Sequence, residues 1–322
     1  MKTSKTLTVI VVLSLLMFLW AMPVETAGAT GKPMIVCTTN AVGSLVQEFL
    51  GDAVDVVVLV EPGLCPADFD MKPSHVYAIS NAKILFKQNI PGEFWLQGLL
   101  DAAGNKNLTQ VAILGDYGTP NGAKRYIRWV GGNLSQILAI DLDAKISAML
   151  RSVDEASNWM ASEAQTLQAS AVKVICMNWL KSFVESVGLK VVATYNPPET
   201  LSAGDIASLV DTARKEGVAL IIDNLQISVD FGAGIASQVG AAHVVLTNFP
   251  GAIPKTGNLT QMFRYNAMQL FEGIRSWKST VALRADMEGL RNQLTIFQTT
   301  TSVAVIVAVV EAVWLYIGRK RR

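Results

Sequence analysis

Charge is scarce in this sequence. Asp, Glu, Lys and Arg make up 16% of its 322 residues, against about 25% in ordinary soluble domains. The charges also cancel: 27 basic and 26 acidic residues leave a net charge of +1, which gives no electrostatic footprint for nucleic acid. Three cysteines are too few for a disulfide framework and allow at most one bridge with one thiol left over. Histidine is scarcer still, with two residues in the chain. The sequence has no Gly-x-Ser-x-Gly elbow, no Walker-type phosphate loop and no His-Glu-x-x-His, so an enzyme or nucleotide-binding role has no positive support. Hydrophobic residues at 51% and 24 glycines without a period exclude disordered and collagen-like chains.

The apolar excess, expressed as a mean hydropathy of +0.35, is concentrated at the two ends. Lys2 and Lys5 precede an apolar run from Leu7 to Val24, and Ala27-Gly28-Ala29 offers small residues for cleavage. That pattern predicts a signal peptide over 1–29; an uncleaved N-terminal anchor is the other reading. Near the other end, Ser302 to Ile317 is apolar apart from Glu311, and Leu294 to Phe297 lengthens the run. A spanning helix needs about 20 residues, so the pattern predicts a single-pass anchor over 294–318. Trp314 and Tyr316 sit at one boundary, and Arg319-Lys320-Arg321-Arg322 follows as a cytoplasmic tail over 319–322. The body then lies outside the cell. Glu311 reads either as a functional or pairing residue or, in the preferred reading, as a carboxylate snorkelling from a helix end. Asn107, Asn133 and Asn258 each begin an Asn-Leu-Thr or Asn-Leu-Ser sequon, candidate glycosylation sites in an exported glycoprotein.

Between Met34 and Thr280, short Val- and Ile-rich runs alternate with amphipathic stretches. The predicted strands are 34–38, 54–60, 84–86, 111–114, 172–177, 190–194, 219–222 and 242–246, with helices over 43–50, 74–81, 179–187, 203–216 and 229–239. Such alternation predicts an α/β fold with parallel sheets. The stretch 141–170 has no Gly or Pro, and Ile146, Leu150, Val153, Ala156 and Met160 recur at helical spacing. It predicts a long backbone helix joining two parallel-sheet lobes, 30–140 and 171–285. A ligand would enter the cleft between the carboxyl ends of the two sheets.

Several segments carry a family resemblance. Ile35-Val-Cys-Thr-Thr, Leu50-Gly-Asp52 and Val58-Leu-Val-Glu-Pro-Gly63 open the series, and Pro66-Ala-Asp-Phe-Asp-Met-Lys-Pro-Ser-His75 follows. Then come Ala82-Lys-Ile-Leu-Phe86, Glu93-Phe-Trp-Leu96, Pro198-Glu-Thr-Leu-Ser-Ala-Gly-Asp-Ile-Ala207, Ile221-Ile-Asp-Asn-Leu-Gln226 and Phe263-Arg-Tyr-Asn266. In order and in content these resemble the metal-binding (zinc/manganese-type) solute-binding proteins of ABC importers. The resemblance implies two lobes on a rigid helix, delivery of a divalent ion to an ABC permease in the same membrane, and no chemistry beyond capture and docking. An alternative keeps the fold but takes a non-metal solute or serves as an interaction module. No organic cofactor is implied.

The metal ligands expected from the resemblance, three His and one acidic residue, do not carry over. Their positions fall at Ala67, near Gln136, at Met177 and at Asn248, and none of these suits Zn²⁺, which takes thiolate, imidazole or carboxylate. The candidate donors left for a metal ion or other ligand are Cys65, Asp68, His75, Gln136, Cys176, Met177 and Asn248. Three readings stand for Cys65 and Cys176: a soft site with Met177 suited to Cu(I), a disulfide across the cleft, or a buried strand residue and a loop residue. His75 reads either as a ligand or as a capping residue, Asp70 as a further loop carboxylate, His243 as packing at a strand entry, and Cys37 as core.

Overall fold

The computed structural model describes residues 31–320. The expected signal over 1–29 and the last two residues of the basic tail lie outside them.

All eight expected runs are strands: β1 Met34–Cys37, β2 Asp55–Val58, β3 Ile84–Lys87, β4 Thr109–Ala112, β5 Lys173–Met177, β6 Lys190–Tyr195, β7 Leu220–Asn224 and β8 Ala242–Leu246. They form two four-stranded sheets, ordered β2-β1-β3-β4 and β6-β5-β7-β8, parallel throughout. The same permutation occurs twice, so each sheet reverses its winding at its second strand in space. The crevice at such a reversal opens at the carboxyl ends of β1 and β3 in one lobe and of β5 and β7 in the other.

Both faces of the first sheet are covered, as its strands require. Side chains alternate along a strand, so Ile35 and Cys37 join the main core while Val36 faces a smaller cluster with Leu59, Ile79, Leu85 and Leu99. The covering helices are α1 Asn40–Leu50, α2 Pro73–Asn81, α3 Leu96–Ala103 and α4 Pro120–Leu138 in the first half. In the second half they are α6 Lys181–Ser186, α7 Ala203–Glu216 and α8 Phe231–Val239, with α5 Asp143–Thr166 between the halves. α7 starts on a reciprocal cap, Ser202 Oγ accepting from Asp205 N while Asp205 Oδ2 accepts from Ser202 N, and stops at Gly217, whose φ of 64° suits a residue without Cβ.

Two differences from the sequence reading have physical causes. α4 is a helix of 19 residues through Gly122, Gly131 and Gly132, residues that weaken helix propensity. Tertiary packing overrides the propensity: a Cβ at Gly131 would stand 2.7 Å from Ile146 of α5 and 2.9 Å from Phe49 of α1, so the glycine lets three helices meet. The second difference is at the C-terminus. The apolar run belongs to α9, Leu259–Lys320, one helix of 62 residues in which no proline interrupts the backbone ladder. Its first turns are core, with Leu259, Met262, Phe263, Ala267, Leu270, Phe271 and Ile274 buried, and Phe263 stacks on Phe183 at 5.8 Å. Beyond Thr280 every side chain described is exposed.

Gly131→Ala should overpack the meeting point of α1, α4 and α5 and cost about 1–3 kcal/mol. The measurement is the urea midpoint of unfolding by tryptophan fluorescence, with the slope unchanged.

Candidate functional site

At the carboxyl ends of β1 and β3 the first lobe presents hydroxyls and amides. Gln88 N donates to Thr38 Oγ1 at 2.9 Å and to Glu93 Oε1 at 3.2 Å, and Thr39 Oγ1 donates to Gln88 Oε1. The other Glu93 oxygen accepts from Asn89 N at 2.7 Å, which holds Asn89 at a φ of 59°. Glu93 is thus spent on backbone amides. Tyr117 lies beside Gln88, and burial pushes its phenol above the ordinary range. Behind it the Tyr126 hydroxyl is buried without a partner.

The second lobe answers with the loop after β8. Asn266 of α9 grips Thr247 twice, accepting from Thr247 N at 3.1 Å and donating to Thr247 O at 2.8 Å. Gln226 accepts from Asn248 N at 3.0 Å and donates to Thr247 Oγ1 at 2.9 Å. Its amide also crosses to the first lobe, donating to Pro62 O at 2.8 Å. Asn40 makes the return contact, Nδ2 to Pro250 O at 2.7 Å. Tyr117 stacks on Phe249 with ring centroids 6.4 Å apart. Gly251 closes against the same residues: a Cβ there would stand 2.7 Å from Asn40 Nδ2. The lobes therefore meet through neutral amides, carbonyls and two aromatic rings.

The expected ligands divide by location. Ala67, in a short 3-10 turn over Pro66–Asp68, is exposed and brings no donor atom. Asn248 lies in the interlobe loop, with its backbone amide on Gln226. Cys65 precedes the turn at 8% exposure; burial raises its thiol, while the Ala67 and Asp68 amides beside it work the other way. Cys176 and Met177 are interior, at 0% and 1% exposure. As neighbours on β5 they point to opposite faces, so one ion cannot take both. Burial pushes the Cys176 thiol up to about 12. All three cysteines are free, so the disulfide reading of Cys65 and Cys176 is corrected: Cys176 stands between Thr194 and Ile222 in the middle of its sheet. Gln136 is exposed near the far end of α4, about 24 Å along the helix from Pro120 at 1.5 Å per residue, and is not brought to the cleft.

His75 caps α2: its Nδ1 accepts from Lys72 N at 3.1 Å and its ring lies 4.9 Å from Phe69. Burial, aided by Lys72, lowers its pKa. Asp68 and Asp70 are exposed loop carboxylates. No group of three or more His, Cys, Asp and Glu suited to a metal ion occurs among the described residues. Of the sequons, Asn107 is exposed, Asn133 donates to Trp129 O within α4 at 2.8 Å, and Asn258 accepts from Gln261 N at 2.9 Å.

The residues the sequence reading missed are Asn40, Gln88, Tyr117, Gln226 and Phe249. Gln226 carried a signal, since it closes the Ile221–Gln226 segment used for the resemblance, and Phe249 follows Asn248 directly; Asn40, Gln88 and Tyr117 lie in segments with no distinctive chemistry.

The family model described as zinc-uptake complex component A, periplasmic (ZnuA) matches residues 35–273. The chain belongs to this family. Among curated proteins, the manganese-binding lipoprotein MntA of Halalkalibacterium halodurans is 20% identical over 226 residues, covering 64% of this chain and 75% of that one. A protein of Treponema pallidum named for metal binding is 33% identical over 82 residues, and the chain spans 26% of its length. The crystal structure of ZnuA superposes with a TM-score of 0.62 at 19% identity, over 75% of this chain and 99% of that one. At that identity the likeness is one of fold. The two lobes and parallel sheets are those of the ZnuA family, a family of periplasmic metal-binding, solute-binding components of ABC importers; the residues facing the cleft are this chain's own.

Gln226→Ala should leave Asn248 N and Pro62 O unpaired and cost about 1–3 kcal/mol. Gln97→Ala, which removes an exposed Gln97–Asp101 bond, should stay within about 0.5 kcal/mol; urea unfolding of the pair reads the difference. A second measurement concerns the thiols. Native protein at pH 8 should react with an aromatic disulfide reagent at Cys65 far faster than at Cys37 or Cys176, both fully buried, and all three should react at one rate in denaturant.

Proposed function

We propose that this chain is the extracellular solute-binding component of an ABC importer, tethered to the cell membrane by 294–318, with the basic residues 319–322 on the cytoplasmic side and a permease of the same membrane as its partner. The observation that carries the reading is the continuity of α9, which is core of the second lobe at Phe263 and becomes an apolar run of mean hydropathy 2.0 without a break. Family membership supports the capture role. The tether supports delivery, because a binding protein held near its permease works at a high effective concentration. The lobes are bounded as 30–140 and 171–285 with the connection over 141–170, and the segment 1–29 serves export. Asn107, exposed in a turn, is the favoured glycosylation acceptor among the three sequons.

Cargo capture here does not use the set of three His and one acidic residue that the family resemblance implies. The donors within reach of the cleft are the Asn248 amide, the Cys65 thiol and the Asp68 carboxylate. With the thiolate as the soft donor, such a set holds a soft ion such as Cu(I) better than Mn²⁺, and binding releases a proton because the thiol must ionise. A second reading, a non-metal solute or a docking role for the fold, is favoured by the direct bonds of Asn40 and Gln226 across the lobes.

Elemental analysis of the purified, reduced full chain in detergent, beside a Cys65→Ser variant, separates the two. Less Cu⁺ in the variant, with Zn²⁺ and Mn²⁺ weakly held by both, is expected for capture through Cys65. Equal metal content in both proteins dismisses the thiolate site, and a chain that ignores Cu⁺, Zn²⁺ and Mn²⁺ alike establishes the second reading. External protease on intact cells should remove the body and spare the tail; a protected body would sink the import assignment.

A further inference from the structure

Past Thr280, α9 leaves the body and carries a row of large apolar side chains, the last two of which fall at the start of the proposed membrane span. Leu283, Met287, Leu290, Leu294 and Phe297 are 64%, 69%, 65%, 56% and 69% exposed. Their spacing alternates four and three residues, which is the heptad period of a helix seam. With Leu283, Leu290 and Phe297 at the d positions and Met287 and Leu294 at the a positions, Asp286 occupies a g position and Arg291 the following e position. We propose that this stalk is a parallel two-stranded coiled coil formed with a second copy of the same chain.

Charge selects that occupant and that orientation. In a parallel pair each g residue faces the e residue five places on in the other helix, so Asp286 of each copy meets Arg291 of the other. An antiparallel pair would set g positions against g and e positions against e, so it would not bring Asp286 and Arg291 together. Between Leu259 and Trp277 the body covers a broad face of α9 that includes Leu259, Met262, Asn266, Phe271 and Ile274. From Val281 on, every side chain described is exposed, so the body leaves the stalk seam open. Arg284, one heptad before Arg291, stands on that body side, with Nη1 3.5 Å from Gly240 O.

The seam runs on beyond the stalk. At the same period it passes Ala304, Ala308 and Glu311. Small residues let membrane helices approach closely, and ionisable residues inside a membrane face other helices rather than lipid. Glu311, for which the sequence leaves both a snorkelling and a pairing role, thus falls on the dimer face. This part of the proposal rests on the anchored reading given above; the stalk part, with Asp286 and Arg291, does not.

The test is a cysteine scan of the full chain in native membranes. Met287→Cys, Leu290→Cys and Leu294→Cys should oxidise with copper-phenanthroline to a product of twice the chain mass, at least tenfold faster than Glu288→Cys and Asn292→Cys on the outer face. Asp286→Arg should reduce cross-linking at position 290 at least fivefold, and Asp286→Arg with Arg291→Asp should restore it. Equal cross-linking at all five positions, a product of another mass, or no rescue by the double exchange overturns the proposal. Carbonate extraction scores anchoring separately: a chain that stays in the membrane without cross-linking retires the dimer alone. A chain extracted from the membrane retires the anchor, and the same scan on the extracted chain still decides the stalk.

Discussion

A single glutamine side chain ties the interlobe surface together. Gln226 lies 8% exposed, and its carboxamide bonds Pro62 O of the first lobe, Thr247 Oγ1 and Asn248 N of the second. A buried amide of this kind is stabilising only while every partner is in place, since each orphaned group costs its desolvation. That condition propagates outward. Thr247 must be held, and Asn266 holds it from α9 with two bonds. Asn224 must present its Oδ1 to Gln226 N, which fixes the carboxyl end of β7. The cleft is therefore specified by a network of neutral hydrogen bonds, where a metal site would be specified by its ligands.

Charge has a different place in this lobe. Asp223, 1% exposed, accepts from Gly232 N at 2.8 Å and lies 2.9 Å from His243 Nε2, with the Tyr195 hydroxyl as a further donor. A Cβ on Gly232 would stand 2.7 Å from that carboxylate, so the glycine is what lets the α8 amide reach it. The one buried acid of the second lobe is thus satisfied inside its own sheet layer. It ties β6, β7, β8 and α8 together and offers no free lone pair to the cleft. His243, read from the sequence as packing at a strand entry, sits in β8 at 23% side-chain exposure, in partnership with this acid.

The strands were legible because their signal is local: Val- and Ile-rich runs such as Val172–Met177 bounded by turn residues need no knowledge of the rest of the chain. α4 was not legible, because Gly131 inside it answers to Phe49 and Ile146, partners that lie in other helices. The same distinction governs the site. Ala67, Met177 and Asn248 could be named from the sequence because each lies in a segment with a recognisable pattern, although Met177 is interior and Ala67 brings no donor. Gln136 was misplaced because the region between β4 and α5 offers no such pattern, and the structure fills the corresponding side of the cleft with Tyr117, from the loop before α4. The bonds made by Asn40 and Gln226 were invisible for a related reason: an amide that bridges 210 or 164 residues of sequence leaves no periodic trace.

Continuity of α9 adds a mechanical constraint to the chemical one. Asn266 and the apolar run belong to the same helix, with no proline and no turn between them. A Gly- or Ser-rich linker would let the body tumble on a flexible tether. A helix of about 1.5 Å per residue instead fixes the direction of the stalk relative to the loop that Asn266 grips. The body is held at its root by Lys278 on Leu167 O at 2.8 Å and by Arg275 on Glu163 at 2.9 Å, both at the C-terminal end of the connecting helix α5. The helix that joins the lobes and the helix that leaves them are thereby clamped together, so the orientation of the cleft relative to the apolar segment is set by packing in the second lobe.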